Sequence, residues 1–447
     1  MGADHTTVPA AGARARQTGR DRFPAVERRL QVDLSARQRR RIRLAYQGHV
    51  RHHRVRTQGR VPCTPGLYPS IPGSACNDGR MAGNRRAFED DRSTASTRHL
   101  KRGYRMTANP GKDTESRTIA FDDLKMLLAS IFEKNGTSAT VAHILADTVA
   151  RADRDGARSH GLFRVPGYVD SLKSGYVDGH AEPVIDAVAG GFLRVDARNG
   201  FAQPALAAAR ALLMERASKN GIALAAIRNS HHFGALWLDV EPFAEAGFIA
   251  ITTVNAVARM APFGGNTPVY GTNPLAFAAP RKGHSPLVFD LATSAVAFGE
   301  IRLAAQHGES LPQGYGLDAQ GQPTTSPEAI IAGGSLLPFG AHKGSALAMM
   351  VELLSAALTD GAFSSEIDQS SHPGAQTSRA GQTVILIDAS KSAGGDFSDR
   401  TQLLCEMLNA AGQTRLPSDR RYANRAASER DGMHIDEKTY RTLSALM

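Results

Sequence analysis

Apolar residues recur at three- and four-residue intervals between 121 and 132. Phe121, Leu124, Leu127, Leu128, Ile131 and Phe132 line one side of a predicted helix, and Gly136 stands where a left-handed C′ residue ends it. Ser138 suits the N-cap of a second helix whose apolar stripe is Val141, Ile144, Leu145 and Val149. Pro166 fits the first turn of a short third helix over 166–173. Together they predict a small helical unit.

After residue 190 the periodicity changes. A helix near 203–219 ends at Gly221, and the unbroken apolar run 222–227 follows it as a strand. A second run, 248–254, reads the same way, and short strands are expected near 275–278 and 286–290 within a stretch rich in Gly, Pro and Asn. A long helix at 343–359, a strand at 383–388 and an amphipathic helix at 397–410 complete the pattern. Continuous apolar strands are covered on both faces. The reading is a mixed α/β (α+β) chain without internal repeats. A helical segment is expected over 106–190, a mixed α/β core over 191–390, and a C-terminal helical segment over 391–447 packing back on that core.

Charge alters the picture at one end. The net charge is +10, but residues 1–105 hold 22 Arg and one Lys against eight acidic groups, so the remainder of the chain is net acidic. That N-terminal stretch shows no sustained period and is expected to be disordered. It admits three readings: a basic arm for nucleic acid, an organelle transit peptide, or upstream sequence read from a misplaced start with Met106 as the true one. The shortage of Lys beside so many Arg favours the misplaced start, and no nucleic-acid role is expected of the folded part. Three cysteines, Cys63, Cys76 and Cys405, make no disulfide framework and suit a reducing cytoplasm. No apolar run of about 18 residues predicts a membrane span.

Several polar clusters carry candidate chemistry. No G-x-G-x-x-G joins a strand to a helix, so the Rossmann fingerprint is absent. Arg158-Ser159-His160-Gly161, with Arg164 one turn on, places a titratable imidazole beside a hydroxyl and near a bidentate cation; the plainer alternative is a solvated helix end. Ser230-His231-His232-Phe233-Gly234 follows a buried strand. One His is expected toward a cleft and one in a structural role, with no metal set, because adjacent side chains on an extended backbone point opposite ways. Gly340-Ala341-His342-Lys343-Gly344-Ser345 opens a helix where free N–H groups favour an anion, or is simply a capped helix start. Tyr270-Gly271-Thr272-Asn273-Pro274 reads as a turn, and Asp290-Leu291-Ala292-Thr293-Ser294 ends a strand.

In this order the motifs 155–164, 231–233, 271–274, 290–293 and 340–344 resemble the malate/L-lactate dehydrogenase-like superfamily. The stretches 195–206, 239–245, 372–377 and 415–422 resemble its Δ1-piperideine-2-carboxylate/Δ1-pyrroline-2-carboxylate reductases. The resemblance runs from about 118 to about 430. It implies a non-Rossmann NAD(P)H-binding fold and NADPH-dependent reduction of cyclic imino acids to L-pipecolate and L-proline. It implies His160 as proton donor, Ser159 as its relay partner, and Glu300 as the third relay member where the reductases carry Asp. Arg164 and Thr272 would bind substrate. His232, Phe233, Gly234, Ala235, Leu236, Asp290, Leu291, Ala292, Ala341, His342, Ser418, Asp419 and Arg420 would contact the cofactor. Ser418 stands where the reductases usually have Gly, a change that matters if the position needs a positive φ. A homodimer is implied as well. The competing expectations are a 2-hydroxy acid dehydrogenase, with His160 as base, and a nucleic-acid-binding protein acting through the basic arm.

Overall fold

A computed structural model describes residues 116–391 and 396–447. The basic stretch 1–105, Met106 and the readings attached to them lie outside the described residues.

Strand β1 (Ser116–Ile119) leads into helices α1 (Phe121–Lys134) and α2 (Ala139–Arg154), and α3 (Val165–Lys173) follows two short turns. Leu124, Leu128, Ile131 and Phe132 of α1 are completely buried, and Leu145 and Val149 of α2 meet them. Ser138 accepts the Val141 N–H at 3.3 Å and starts α2 as its sequence predicts.

The main sheet has seven strands: β2 (Val184–Ala189), β3 (Phe192–Phe201), β4 (Ile222–His232), β5 (Phe248–Val254), β6 (Leu275–Ala279), β7 (Leu287–Leu291) and β11 (Ser378–Asp388), in the order β2-β3-β4-β11-β5-β6-β7. Only β3 and β4 pair in parallel; helix α4 (Ala202–Asn220) makes that crossover and stops at Gly221, φ 82°. Helices α4 and α5 (Trp237–Glu245) cover one face, giving the largest apolar core. A small three-stranded sheet, β8 (Gly316–Leu317), β9 (Pro323–Thr324) and β10 (Ser335–Leu336), lies among α6 (Phe298–His307), α7 (Pro327–Ile331) and α8 (His342–Glu352). Helices α9 (Phe397–Ala410) and α10 (Asp419–Asp431), strand β12 (Met433–Asp436) and α11 (Glu437–Ser444) close the chain.

Several sequence expectations need correction. The strand expected at 222–227 runs on to His232, so Ser230, His231 and His232 are its last residues rather than the start of a loop. The strand expected at 383–388 begins at Ser378 and breaks register at Gly381, where a side chain would collide with the Ser355 carbonyl. The helix expected through 359 is regular only to Glu352 and then widens over Leu353–Ala357. Helix α5 was unreadable because Pro242 stands inside it. Helix α10 buries none of its residues, so it has no apolar period to detect.

The C-terminal segment makes two sets of contacts. On α9, Asp399 pairs with Lys282 and Gln402 with Arg281, beside the β6–β7 edge. Met433, Ile435 and Leu443 enter the core of the N-terminal helices, and β12 pairs with β1. All described residues belong to one compact unit.

Candidate active site

Two single turns, Arg158–His160 and Leu162–Arg164, link α2 to α3. Side-chain bonds hold them. Asp153, in the last turn of α2, accepts the Leu162 N–H at 2.9 Å and lies against Gly161, where any side chain would collide with it. Arg164 donates from Nε to the Ser159 carbonyl at 2.7 Å, and its guanidinium lies 4.2 Å over the Phe233 ring. Among the described residues its terminal amino groups make no hydrogen bond or ion pair, and the side chain lines a cavity. Ser159 Oγ is 3.1 Å from His160 Nδ1. Burial, then the charges of Arg164 and His232, push the His160 pKa down to about 3.

Sheet register builds the opposite wall. At the end of β4 the two histidines face opposite ways. His231 is buried, with Nδ1 2.9 Å from Thr377 Oγ1 and Nε2 3.0 Å from Asn199 Oδ1; burial drives its pKa down to about 3. This is the structural histidine. His232 borders the cavity, and its Nε2 donates to Asp239 Oδ2 of α5 at 2.8 Å. Asp239 also accepts from Gln382 Nε2 of β11 at 2.8 Å, so three elements meet at one buried carboxylate. Ala235 and Leu236 are buried at the entry to α5. There the Trp237 N–H donates to Asp290, at the end of β7, at 3.1 Å. Burial raises the Asp290 pKa to about 6 against the opposing pull of that N–H and of Arg421.

Thr272 is placed by its backbone. Its carbonyl accepts the Thr293 N–H at 2.9 Å and the Thr293 hydroxyl at 3.0 Å, while the Phe339 N–H donates to the Thr293 carbonyl at 3.0 Å. The turn carrying Ala341 and His342 therefore docks on the same edge as 290–293. Ala341 enters α8 at φ 56°, a strained backbone for a residue with a β-carbon.

A cavity of about 430 Å³ brings His160, Arg164, Thr272, His232, Phe233 and Gly234 together. Ser159 adjoins it, beside Gly299. Glu300 is next in sequence to Gly299, but among the described residues no hydrogen bond joins it to Ser159 or His160. Burial raises its pKa, and Arg420 opposes that rise. Asp290, Leu291, Ala292, Ala341 and His342 do not line this cavity. Ser418 and Arg420 line a second cleft of about 270 Å³ with Arg415 and Arg421. Ser418 has φ 76°, so the position does demand the left-handed conformation. Its hydroxyl donates to the Val288 carbonyl and accepts from Arg421 at 2.7 Å, which anchors the loop to β7. Sequence reasoning missed Arg259, Phe298, Arg302, Gln369 and Gln376 on the cavity wall. The four-residue spacing of Phe298 and Arg302 was the available signal.

The malate/L-lactate dehydrogenase family model matches residues 119–444. The chain belongs to the malate/L-lactate dehydrogenase family. Within it, the chain is 54% identical over 329 residues to a Δ1-pyrroline-2-carboxylate/Δ1-piperideine-2-carboxylate reductase of Pseudomonas putida, covering 74% of this chain and 96% of that protein. It superposes on the crystal structure of Δ1-piperideine-2-carboxylate reductase from Pseudomonas syringae pv. tomato with a TM-score of 0.73 and 54% identity, over 74% of this chain and all of the other. A (2R)-3-sulfolactate dehydrogenase (NADP+) of Chromohalobacter salexigens is 41% identical over 310 residues, 69% of this chain and 92% of that protein. Members of this family are oxidoreductases, and this chain is one. Reductases and dehydrogenases of this family imply a nicotinamide cofactor, as the sequence led one to expect.

Proposed function

We propose that this chain reduces the C=N bond of cyclic imino acids, converting Δ1-piperideine-2-carboxylate to L-pipecolate and Δ1-pyrroline-2-carboxylate to L-proline, with NADPH. The observation that carries this reading is the shared cavity: His160 and Arg164 open into one space with Thr272 and the 232–234 strand end. The cofactor, when bound, supplies hydride to the imine carbon. Everything else falls to the chain's own residues. Arg164 grips the substrate carboxylate, Thr272 lines the pocket, and His160 hands a proton to the imine nitrogen, with Ser159 Oγ behind its Nδ1. In the free pocket His160 is neutral at pH 7, because its pKa is depressed to about 3. A carboxylate docked against Arg164 offsets one of the charges that, after burial, hold that pKa down, and so shifts His160 toward its protonated form.

The second cleft fits the phosphates of the cofactor. Arg415 and Arg420 face it beside the rigid Ser418 turn. Its excess of guanidinium supports NADPH over NADH, and the NADP+ named for the sulfolactate dehydrogenase agrees. His232, Phe233, Gly234, Ala235, Leu236, Asp290, Leu291, Ala292, Ala341, His342 and Asp419 are assigned to the rest of the cofactor, and Glu300 to the relay. In this reading segment 106–190 supplies the proton donor, 191–390 the cofactor and substrate core, and 391–447 the C-terminal support. The protein works as a cytoplasmic homodimer.

The direct test incubates the full chain and NADPH with Δ1-piperideine-2-carboxylate or with oxaloacetate and follows NADPH absorbance. Faster consumption of the cyclic imine is expected. Turnover of the keto acid alone would replace this function with the hydroxy-acid alternative.

A further inference from the structure

Three guanidinium groups face the main cavity, those of Arg164, Arg259 and Arg302, and among its described lining residues there is no Asp or Glu. None of the three makes an ion pair with a described residue. Reduction of a cyclic imine with a single carboxylate uses one of them, Arg164. The other two stand together on the wall made by the start of α6. Arg259 is not a freely swinging surface side chain. Its backbone is bonded on both sides, N–H to the Tyr270 carbonyl and carbonyl to the Leu336 N–H, each at 2.8 Å, and its guanidinium lies 4.6 Å over the Phe298 ring. Arg302 follows Phe298 by one helical turn and so shares its face.

The arrangement is repulsive without a ligand. The Arg302 charge lowers the pKa of both Arg164 and Arg259, after burial in each case. Like charges gathered on a partly enclosed wall with no carboxylate among them are stabilised when an anion enters.

We propose that Arg259 and Arg302 recognise a second acidic group on the substrate, so that the site accepts cyclic imino acids bearing two carboxylates. The inference rests on the imine-reductase reading. The chemistry at the C=N bond is unchanged: the carbon gains hydride from NADPH, which leaves as NADP+, the nitrogen gains a proton, and the second carboxylate passes through unaltered. A cofactor phosphate is the other source of such an anion. In the reading proposed above the separate cleft at Arg415 and Arg420 takes that phosphate, whereas Arg259 and Arg302 line the cavity that holds His160.

The experiment compares kcat/KM for Δ1-piperideine-2-carboxylate and for 2,3,4,5-tetrahydropyridine-2,6-dicarboxylate, in the full chain and in Arg259→Gln and Arg302→Gln. NADPH affinity is measured in parallel by protein fluorescence. The unaltered protein is expected to reduce both acids, and each substitution to lower the diacid-to-monoacid ratio at least tenfold while NADPH affinity holds within threefold. A ratio that does not change overturns the proposal. So does a tenfold loss of NADPH affinity, which would assign the two guanidiniums to cofactor phosphate. Reduction of the monoacid but not the diacid by the unaltered protein removes this inference and leaves the imine-reductase function standing; reduction of neither removes both.

Discussion

The two walls of the cavity are built by different means. The His160 wall consists of two single turns with little regular structure, and bonds between residues close in sequence shape it: Asp153 to Leu162, and Arg164 to Ser159. The His232 wall is the end of a sheet. Its polar groups meet through strands and helices far apart in the chain: His232, Asp239 and Gln382. A locally tied wall can shift without unfolding the domain, whereas a register-tied wall fails with the sheet. The difference predicts damage to rate on one side and to stability on the other.

The largest expected effect is on the local wall. His160→Ala should lower turnover by about 10²–10⁴, the usual size of a general-acid contribution. NADPH should still bind. Full turnover in this variant would remove His160 as donor.

Asp153→Ala comes next. It deletes the acceptor that sets the Leu162 turn, and a displacement of His160 of about 1 Å can cost on the order of a hundredfold. A ten- to hundredfold fall in kcat is expected with little change in melting temperature, read by kinetics and thermal melts on the same sample. A large loss of stability instead would place the turn within the cooperative core and collapse the contrast between the walls.

Asp239→Ala should show the reverse. It strands a buried imidazole N–H and a buried amide, each costing about 1–3 kcal/mol. Thermal melts should report that loss, with weakened NADPH binding following from a displaced His232. Unchanged stability would mean that β4, α5 and β11 do not depend on their shared carboxylate.

A further effect is the response to acid. His160 and His231 are moved from 6.5 down to about 3, so the unfolded chain binds more protons than the folded one as pH falls below 6.5. Their stabilisation is complete above 6.5 and is lost toward 3. Asp290 is moved from 3.8 up to about 6 and acts in the opposite sense, gaining stability as pH falls through 6. Asp153 and Glu300, also raised by burial, act with Asp290, whereas the lowered carboxyls of Asp196, Asp436 and Glu437 act with the two large imidazole shifts, which dominate. The melting temperature should therefore drop between pH 7 and pH 4, and His231→Gln should flatten the slope. A melting temperature that rises with acid would put Asp290 in control.

Much of this was legible in the chain. The helix starts at Phe121 and after Ser138, the stop at Gly221 and the apolar runs at 222 and 248 follow from periodicity and capping, which act over a few residues. The pairing of Ser159, His160 and Arg164 on one short stretch is equally local. Resemblance pointed to Thr272, which lines the cavity and which no spacing would have singled out, while Arg259, Phe298, Arg302, Gln369 and Gln376 escaped both.

What folding alone settles is long-range. The insertion of β11 between β4 and β5, the bulge at Gly381, and the meeting of Gln382 with Asp239 depend on pairing residues more than a hundred positions apart. Helix α10 is another case: it buries no residue, and Arg425 ties it to Asp155 and Glu241 through charge. Glu300 marks the boundary. The resemblance implies a third relay member there, yet among the described residues its side chain makes no hydrogen bond to Ser159 or His160. Local propensities and hydrophobic period act between near neighbours. Register, buried polar partners and the direction of a side chain are settled only when distant segments compete for the same space.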